Sequence, residues 1–272
     1  MVKLKNNPKP ISSETTEKII KTFKSICKII IKREGKTIYG TGFFMKVSDN
    51  LKYLITCHHI INQEMNNKNI ELEIWNKKIM KLTFDERFKY FQKPLDITAI
   101  EIKEKDNIYE DVIFLDYDSN NIKGYSIYKN EDIFSICYHN GEQMFSLGNI
   151  LDINDYEFLH DTNRGVGSSG SPMISLNNFK VIGIHKGLDI YKNINYATFI
   201  GQIIKEILIP NKTISQDKNK IFSNNNNCKI SNNSINNNLK INHNQNLINN
   251  NFIKIKLILK KISTLIPIKI SL

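Results

Sequence analysis

GVGSSGSPMI, residues 165–174, holds two signatures that lead to different folds. Gly165, Gly167 and Gly170 spell G-x-G-x-x-G, the pattern with which a strand–turn–helix unit cradles a dinucleotide pyrophosphate. Gly167-Ser168-Ser169-Gly170-Ser171-Pro172 instead sets a serine in a glycine-rich turn. The first reading needs a helix of several turns after the glycines, because the helix N-terminus holds the phosphates. Asp189 even stands near the place of a ribose-binding acid. Yet Gly170 is followed by Ser-Pro-Met-Ile-Ser-Leu-Asn-Asn, a short β-like run that stops in an Asn-Asn turn. No crossover helix fits there. The nucleophile elbow G-x-S-x-G fails as well, since position 171 is serine rather than glycine. The stretch reads as a serine-bearing turn between strands.

The surrounding chain agrees. Around it lie CKIIIKREGKTIYGTGFFMKV, NLKYLITCHHII, NIELEIW, MKLTF, LDITAIEI, DVIFL, DIFSICYH, QMFSLGNILDI, PMISL, KVIGIHKGL and INYATFI. The first segment holds two β-branched and aromatic runs and about ten short runs continue it, separated by turn residues at the spacing of an all-β sandwich or barrel. Glu34-Gly35-Lys36 reads as a hairpin turn. Before the strands, SSETTEKIIKTFKSI opens on a capping serine and repeats Ile19, Ile20, Phe23 and Ile26 at helical spacing, which predicts a short N-terminal helix. GQIIKEIL, residues 201–208, closes the domain as a second short helix.

A nucleophilic serine needs a base and an acid to orient that base. LITCHHII puts histidine at the end of an apolar strand, and KPLDITAIEI puts Asp96 at the head of another, from which a largely buried carboxylate can accept the proton of histidine Nδ1. A Cys57-His58-His59 zinc cluster has no second ligand pair at suitable spacing, so no metal and no cofactor is expected.

With GTGFF (40–44), LITCHHII (54–61), DITAIEI (96–102), GSSGSP (167–172) and VIGIH (181–185) in that order, the chain resembles the chymotrypsin-fold, trypsin-like serine proteases. The resemblance implies two antiparallel six-stranded β-barrels, about residues 27–115 and 116–205, with the active site in the cleft between them. It assigns the T-x-x-H histidine to His59 through Thr56, the aspartate to Asp96 and the nucleophile to Ser169; His58 reads as structural, because adjacent strand residues point to opposite faces. It also places an oxyanion against the N–H groups of Gly167 and Ser169. Two departures stand out. Ser168 occupies the position where secreted relatives carry the aspartate that receives the new N-terminal amine, and the family's disulfide beside the histidine is missing.

The GSSGSP and VIGIH forms are more similar to the glutamyl-endopeptidase branch, and to other single-domain intracellular or microbial relatives, than to digestive enzymes; in that branch the histidine matching His185 binds a substrate glutamate. Cleavage after Glu or Gln is therefore expected. Asn163 stands where an acid would select Arg or Lys, and Arg164 stands at the branch's pocket threonine.

Composition bounds the partners. The net charge of +11 looks like a nucleic-acid signal, but from residue 211 onward ten lysines face only Asp217, so residues 1–210 carry just +2. That is too little for a nucleic-acid footprint, and none is expected. Residues 211–272 form an Asn-rich, low-complexity tail read as disordered, ending in a basic-apolar segment, residues 252–272, with a weak claim to membrane-surface contact. The start lacks a secretory signal's apolar core and no stretch has the length of an uncharged membrane span, so a cytoplasmic protein with reduced thiols is expected. A polypeptide substrate is the expected partner; oligomeric state has no signature. Two other readings stay open at this point: a catalytically inactive protease-like binding module, and a membrane-associated protein acting through its basic tail.

Overall fold

The computed structural model describes residues 11–33, 35–65, 70–163, 165–189 and 194–216. Helix α1, Ser13–Thr22, is capped by the Ser12 hydroxyl, which accepts from Thr15 N–H at 3.1 Å. The helical spacing predicted from Ile19 to Ile26 stops at Thr22; one 3-10 turn follows, and Ile26 opens a strand because the β-branched run behind it finds a partner in β2. Eight strands follow: β1 Ile26–Arg33, β2 Lys36–Ser48, β3 Leu51–Thr56, β4 Ile70–Glu73, β5 Ile79–Leu82, β6 Lys89–Gln92, β7 Ile97–Glu101 and β8 Leu115–Asp116. They form one sheet in the order β5-β4-β1-β2-β3-β7-β6, with β8 parallel to β2.

The second half is a closed barrel. Its strands are β9 Asp132–His139, β10 Glu142–Asn154, β11 Glu157–His160, β12 Pro172–Ser175, β13 Val181–Asp189 and β14 Ile194–Phe199, joined as β10-β11-β14-β13-β12-β9. Helix α2, Gly201–Gln216, follows. It runs past residue 211, where the composition changes; residues 217–272, including the Asn-rich run, Cys228 and the basic-apolar end, lie outside the described residues, as does Arg164.

The expectation of two closed six-stranded barrels is corrected in one half. The first sheet has eight strands, and among the described residues no ladder joins its outer strands β5 and β6. The structure has more strands than the sequence pattern shows, for a physical reason. Segments such as β6 (KYFQ) and β11 (EFLH) are only four residues long, too short to show alternation, and are strands because neighbouring strands pair with them. DVIFL keeps only Leu115 as strand.

Both sheets share one core: Phe43, Leu54 and Ile55 from the first pack in the same cluster as Phe134, Ile136, Ile174 and Ile184 from the barrel. Each such fully buried side chain contributes about 1.5–3 kcal/mol. This contact sets the register between the two halves and so between the loops at their junction. Cys27, Cys57 and Cys137 are buried free thiols. Among the described residues no helix is long and apolar enough to cross a membrane.

Candidate functional site

β3 ends at Thr56, and the chain turns over Cys57–Ile61, where Cys57 carbonyl accepts from the N–H groups of Ile60 and Ile61 at 3.1 Å. Ile60 and Ile61 anchor in the core, and Thr98 Oγ1 donates to Ile61 carbonyl at 2.6 Å. The two adjacent histidines are thereby sent apart. His58 is buried with Nε2 2.9 Å from Gln63 Oε1, whereas His59 is exposed.

Asp96 precedes β7 in a turn closed by its own N–H on Lys93 carbonyl, with φ +55, a left-handed conformation that Asp tolerates better than most residues. The turn is held from the barrel as well, by Thr198 Oγ1 donating to Leu95 carbonyl at 2.9 Å. Asp96 then grips the histidine twice: Oδ1 accepts from His59 N–H at 2.9 Å and Oδ2 lies 2.7 Å from His59 Nδ1. With Nδ1–H on the carboxylate, the imidazole carries its lone pair on Nε2, where it can take a proton.

The turn 165–171 packs against β2 and β13. Ser168 N–H donates to Gly165 carbonyl and Ser171 N–H to Ser168 carbonyl, both at 3.1 Å, and Gly167 takes φ +94 and Gly170 φ +89. Glycine at 170 is required twice over: besides the positive φ, a Cβ there would lie 2.1 Å from Thr41 carbonyl oxygen. That closeness reflects a direct tie to β2. Thr41 N–H donates to Ser169 carbonyl at 2.9 Å, and Thr41 Oγ1 donates to Gly167 carbonyl at 2.7 Å while accepting from Tyr138 N–H at 3.0 Å. Among the described residues the N–H groups of Gly167 and Ser169 have no acceptor. Ser168 and Ser171 are buried and Ser169 is partly exposed, its hydroxyl donating to Lys186 carbonyl at 3.1 Å rather than to His59.

Behind the turn, His185 on β13 is 2 % exposed. Its Nδ1 lies 3.2 Å from His160 Nε2, and His160 Nδ1 lies 2.7 Å from Thr162 Oγ1. Lys186 Nζ sits 2.5 Å from Glu157 Oε1, which balances a cation that the sequence left unpaired. Asn163 is exposed, and its backbone N–H donates to Ser146 Oγ at 2.8 Å. Cys57 lies under the histidine loop with its thiol donating to His185 carbonyl at 3.2 Å; burial first, then the Asp96 charge, hold that thiol well above the usual range.

The structure thus brings His59 and Asp96 into contact and sets Ser169, Gly167 and His185 on one turn and the strand behind it. Thr41, Thr198, His160 and Thr162 were not singled out from sequence. A hydroxyl that bridges two sheets, or a buried histidine behind another, carries no local pattern.

A family model described as the trypsin-like peptidase domain matches residues 40–184, over half of the 272-residue chain. Two solved structures share the fold. One is the serine endoprotease from Yersinia pestis, 16 % identical with a TM-score of 0.53, the match covering 77 % of this chain and 69 % of that one. The other is a protease from M. tuberculosis in its active form, 15 % identical with a TM-score of 0.55, covering 76 % and 92 %. No curated protein matches this chain.

Proposed function

The chain belongs to the trypsin-like peptidase domain family, and from that premise we propose that it is a serine endopeptidase working through His59, Asp96 and Ser169. The family implies polypeptide substrates. The observation that carries the assignment is the double contact of Asp96 with His59, 2.9 Å to the backbone N–H and 2.7 Å to Nδ1; of the serines in the glycine turn, Ser169 alone is partly exposed.

For catalysis the Ser169 hydroxyl must leave Lys186 carbonyl, its partner in the resting site, for His59 Nε2. Catalytic hydrogen bonds commonly tighten in this way only when substrate is bound. Ser169 Oγ then attacks the scissile carbonyl as its proton passes to His59 Nε2. Asp96 fixes the tautomer and stabilises the imidazolium, and the proton goes on to the leaving amine. The developing oxyanion lies against the N–H groups of Gly167 and Ser169. Water then hydrolyses the acyl-enzyme by the same route.

His185 directs cleavage after Glu or Gln. This reading takes the tautomers in which Thr162 Oγ1–H donates to His160 Nδ1 and His160 Nε2–H donates to His185 Nδ1, across the 2.7 and 3.2 Å contacts, so that His185 bears a proton on Nε2. That proton suits a carboxylate or an amide oxygen. Asn163, in place of an acid, gives an Arg or Lys side chain no counter-charge.

The test is labelling with a fluorophosphonate probe and mapping of the modified residue. Label on Ser169, lost in Ser169→Ala together with about a millionfold of turnover, is expected. Ser168→Ala and Ser171→Ala should retain far more activity; equal labelling of Ser169→Ala and the parent overturns the assignment of the nucleophile, and a parent that does not label at all leaves a protease-like binding module. A peptide library tests the pocket: a preference for Lys, Arg or large apolar residues, unchanged by His185→Ala, removes His185 from substrate recognition.

A further inference from the structure

The three sulfur, nitrogen and oxygen donors around the His59–Asp96 pair form a group that the peptidase reaction does not use as such. Cys57 Sγ, a His59 ring nitrogen and an Asp96 carboxylate oxygen all lie within 4.8 Å of one another. Sequence spacing hides this set. Cys57 and His59 lack a second ligand pair nearby, and His58 is turned to Gln63, but the fold brings Asp96 to the same point from the head of β7.

The donor chemistry selects the ion. Thiolate, imidazole and carboxylate are ligands of zinc and its softer neighbours, whereas Mg²⁺ and Ca²⁺ take oxygen almost exclusively. Zinc bonds of about 2.0–2.3 Å put tetrahedral ligands about 3.3–3.6 Å apart, so no pair here needs to close by more than about 1.5 Å. An entry path exists, because the His59 side chain is 46 % and the Asp96 side chain 18 % exposed, with Cys57 as the buried floor. Charge also balances, since one thiolate and one carboxylate neutralise a divalent cation.

We propose that Cys57 Sγ, His59 Nδ1 and Asp96 bind a thiophilic divalent cation of the Zn²⁺ class, water completing the tetrahedron, and that the bound ion reversibly switches the peptidase off. The inhibitory half rests on the function proposed above; the binding half does not. The Cys57 S–H bond breaks as the metal–sulfur bond forms, and its proton goes to solvent. At His59 the Nδ1–H bond breaks as the metal–nitrogen bond forms, and the ring takes a proton on Nε2, so the imidazole stays neutral. No electron changes hands. The consequence is a tautomer lock: Nε2 becomes a donor, has no lone pair for the Ser169 proton, and general-base assistance is lost.

The full chain is titrated with Cd²⁺ while the ultraviolet cadmium–thiolate charge-transfer band is followed, in the parent, Cys57→Ala and Cys57→Ser, with circular dichroism to confirm folding. Fluorophosphonate labelling of the same proteins is timed with Zn²⁺ and with EDTA. A band that saturates and that both Cys57 variants lose is expected. Zn²⁺ should slow labelling of the parent about a hundredfold or more, the scale of a lost general base, with recovery in EDTA. Labelling of the Cys57 variants should be indifferent to Zn²⁺. A parent band that survives in the Cys57 variants, or Zn²⁺ that slows parent and variants alike, overturns the proposal. A parent that fails to label even in EDTA overturns the peptidase reading instead, and the cadmium band still decides the site.

Discussion

Thr41→Val exchanges one hydroxyl for a methyl group of nearly the same shape, at a position that touches no reacting atom. Thr41 is fully buried on β2. Its backbone contacts, N–H to Ser169 carbonyl at 2.9 Å and carbonyl from Thr56 Oγ1 at 2.8 Å, survive the change. What disappears is Oγ1, which donates to Gly167 carbonyl at 2.7 Å and accepts from Tyr138 N–H at 3.0 Å. Each group left buried without a partner costs about 1–3 kcal/mol, and partial relaxation of the turn puts the sum at about 2–4 kcal/mol. With an m-value of about 2–3 kcal/mol/M for a domain of this size, the urea midpoint should fall by about 1 M. Gly167 carbonyl, once released, also frees the peptide that orients the neighbouring N–H groups, so fluorophosphonate labelling of Ser169 should slow. Thr41→Ser keeps the oxygen and should retain most of both properties. If Thr41→Val unfolds within about 0.5 kcal/mol of the parent and labels at the parental rate, the bridge from β2 to the serine turn has no energetic weight.

Gly170→Ala should cost about 3 kcal/mol or more and abolish labelling, since the new Cβ would meet Thr41 carbonyl oxygen at 2.1 Å and Thr56 Oγ1 at 2.5 Å. Gly35→Ala, at φ +76 with nothing within 4 Å, isolates the backbone strain at about 1 kcal/mol, and equal losses in thermal melts would show that the clash is relieved without consequence. For Asp106, burial pushes the carboxyl up, but Arg87, bonded at 2.8 Å through both Nη1 and Nη2, and Lys103 N–H outweigh it and hold the group below the ordinary carboxylate range. A carboxyl lowered in the folded state stabilises above its unfolded value of about 3.9, and that stability is lost as pH falls through the folded value. Arg87→Ala should therefore cost about 3–5 kcal/mol near pH 7, the cost of leaving a buried charge unpaired. Its deficit in urea midpoint should narrow below about pH 4. A deficit of the same size at pH 7 and at pH 3 would count against it.

Much of the architecture is written in short-range pattern. The run CKIII is β-branched enough to overrule the helical spacing that leads into it, Gly35 turns the first hairpin, and the residues after Gly170 leave no length for a crossover helix. The order of a strand-end histidine, a strand-head aspartate and a serine turn is legible for the same reason: each depends on a few neighbouring residues and the alternation of a strand. The sheets are less so. The four-residue strands β6 and β11 are set by the ladders beside them, and the first sheet's eight-strand path with unjoined outer strands follows from pairing between segments far apart in the chain.

Which groups meet is a matter of long-range packing. Asp96 is tied to His59 in a turn that Thr198, from the other sheet, holds at Leu95, and the serine turn is fixed by Thr41, which bonds the carbonyls of Gly167 and Ser169. The same packing stacks His160 behind His185, gives Lys186 its counter-charge in Glu157, and sets Cys57 beside the His59–Asp96 pair. A hydrogen bond between residues far apart in sequence has no spacing to read. It exists because two sheets pack on one apolar core, and the buried hydroxyls, imidazoles and charges at the junction must then find partners in one another.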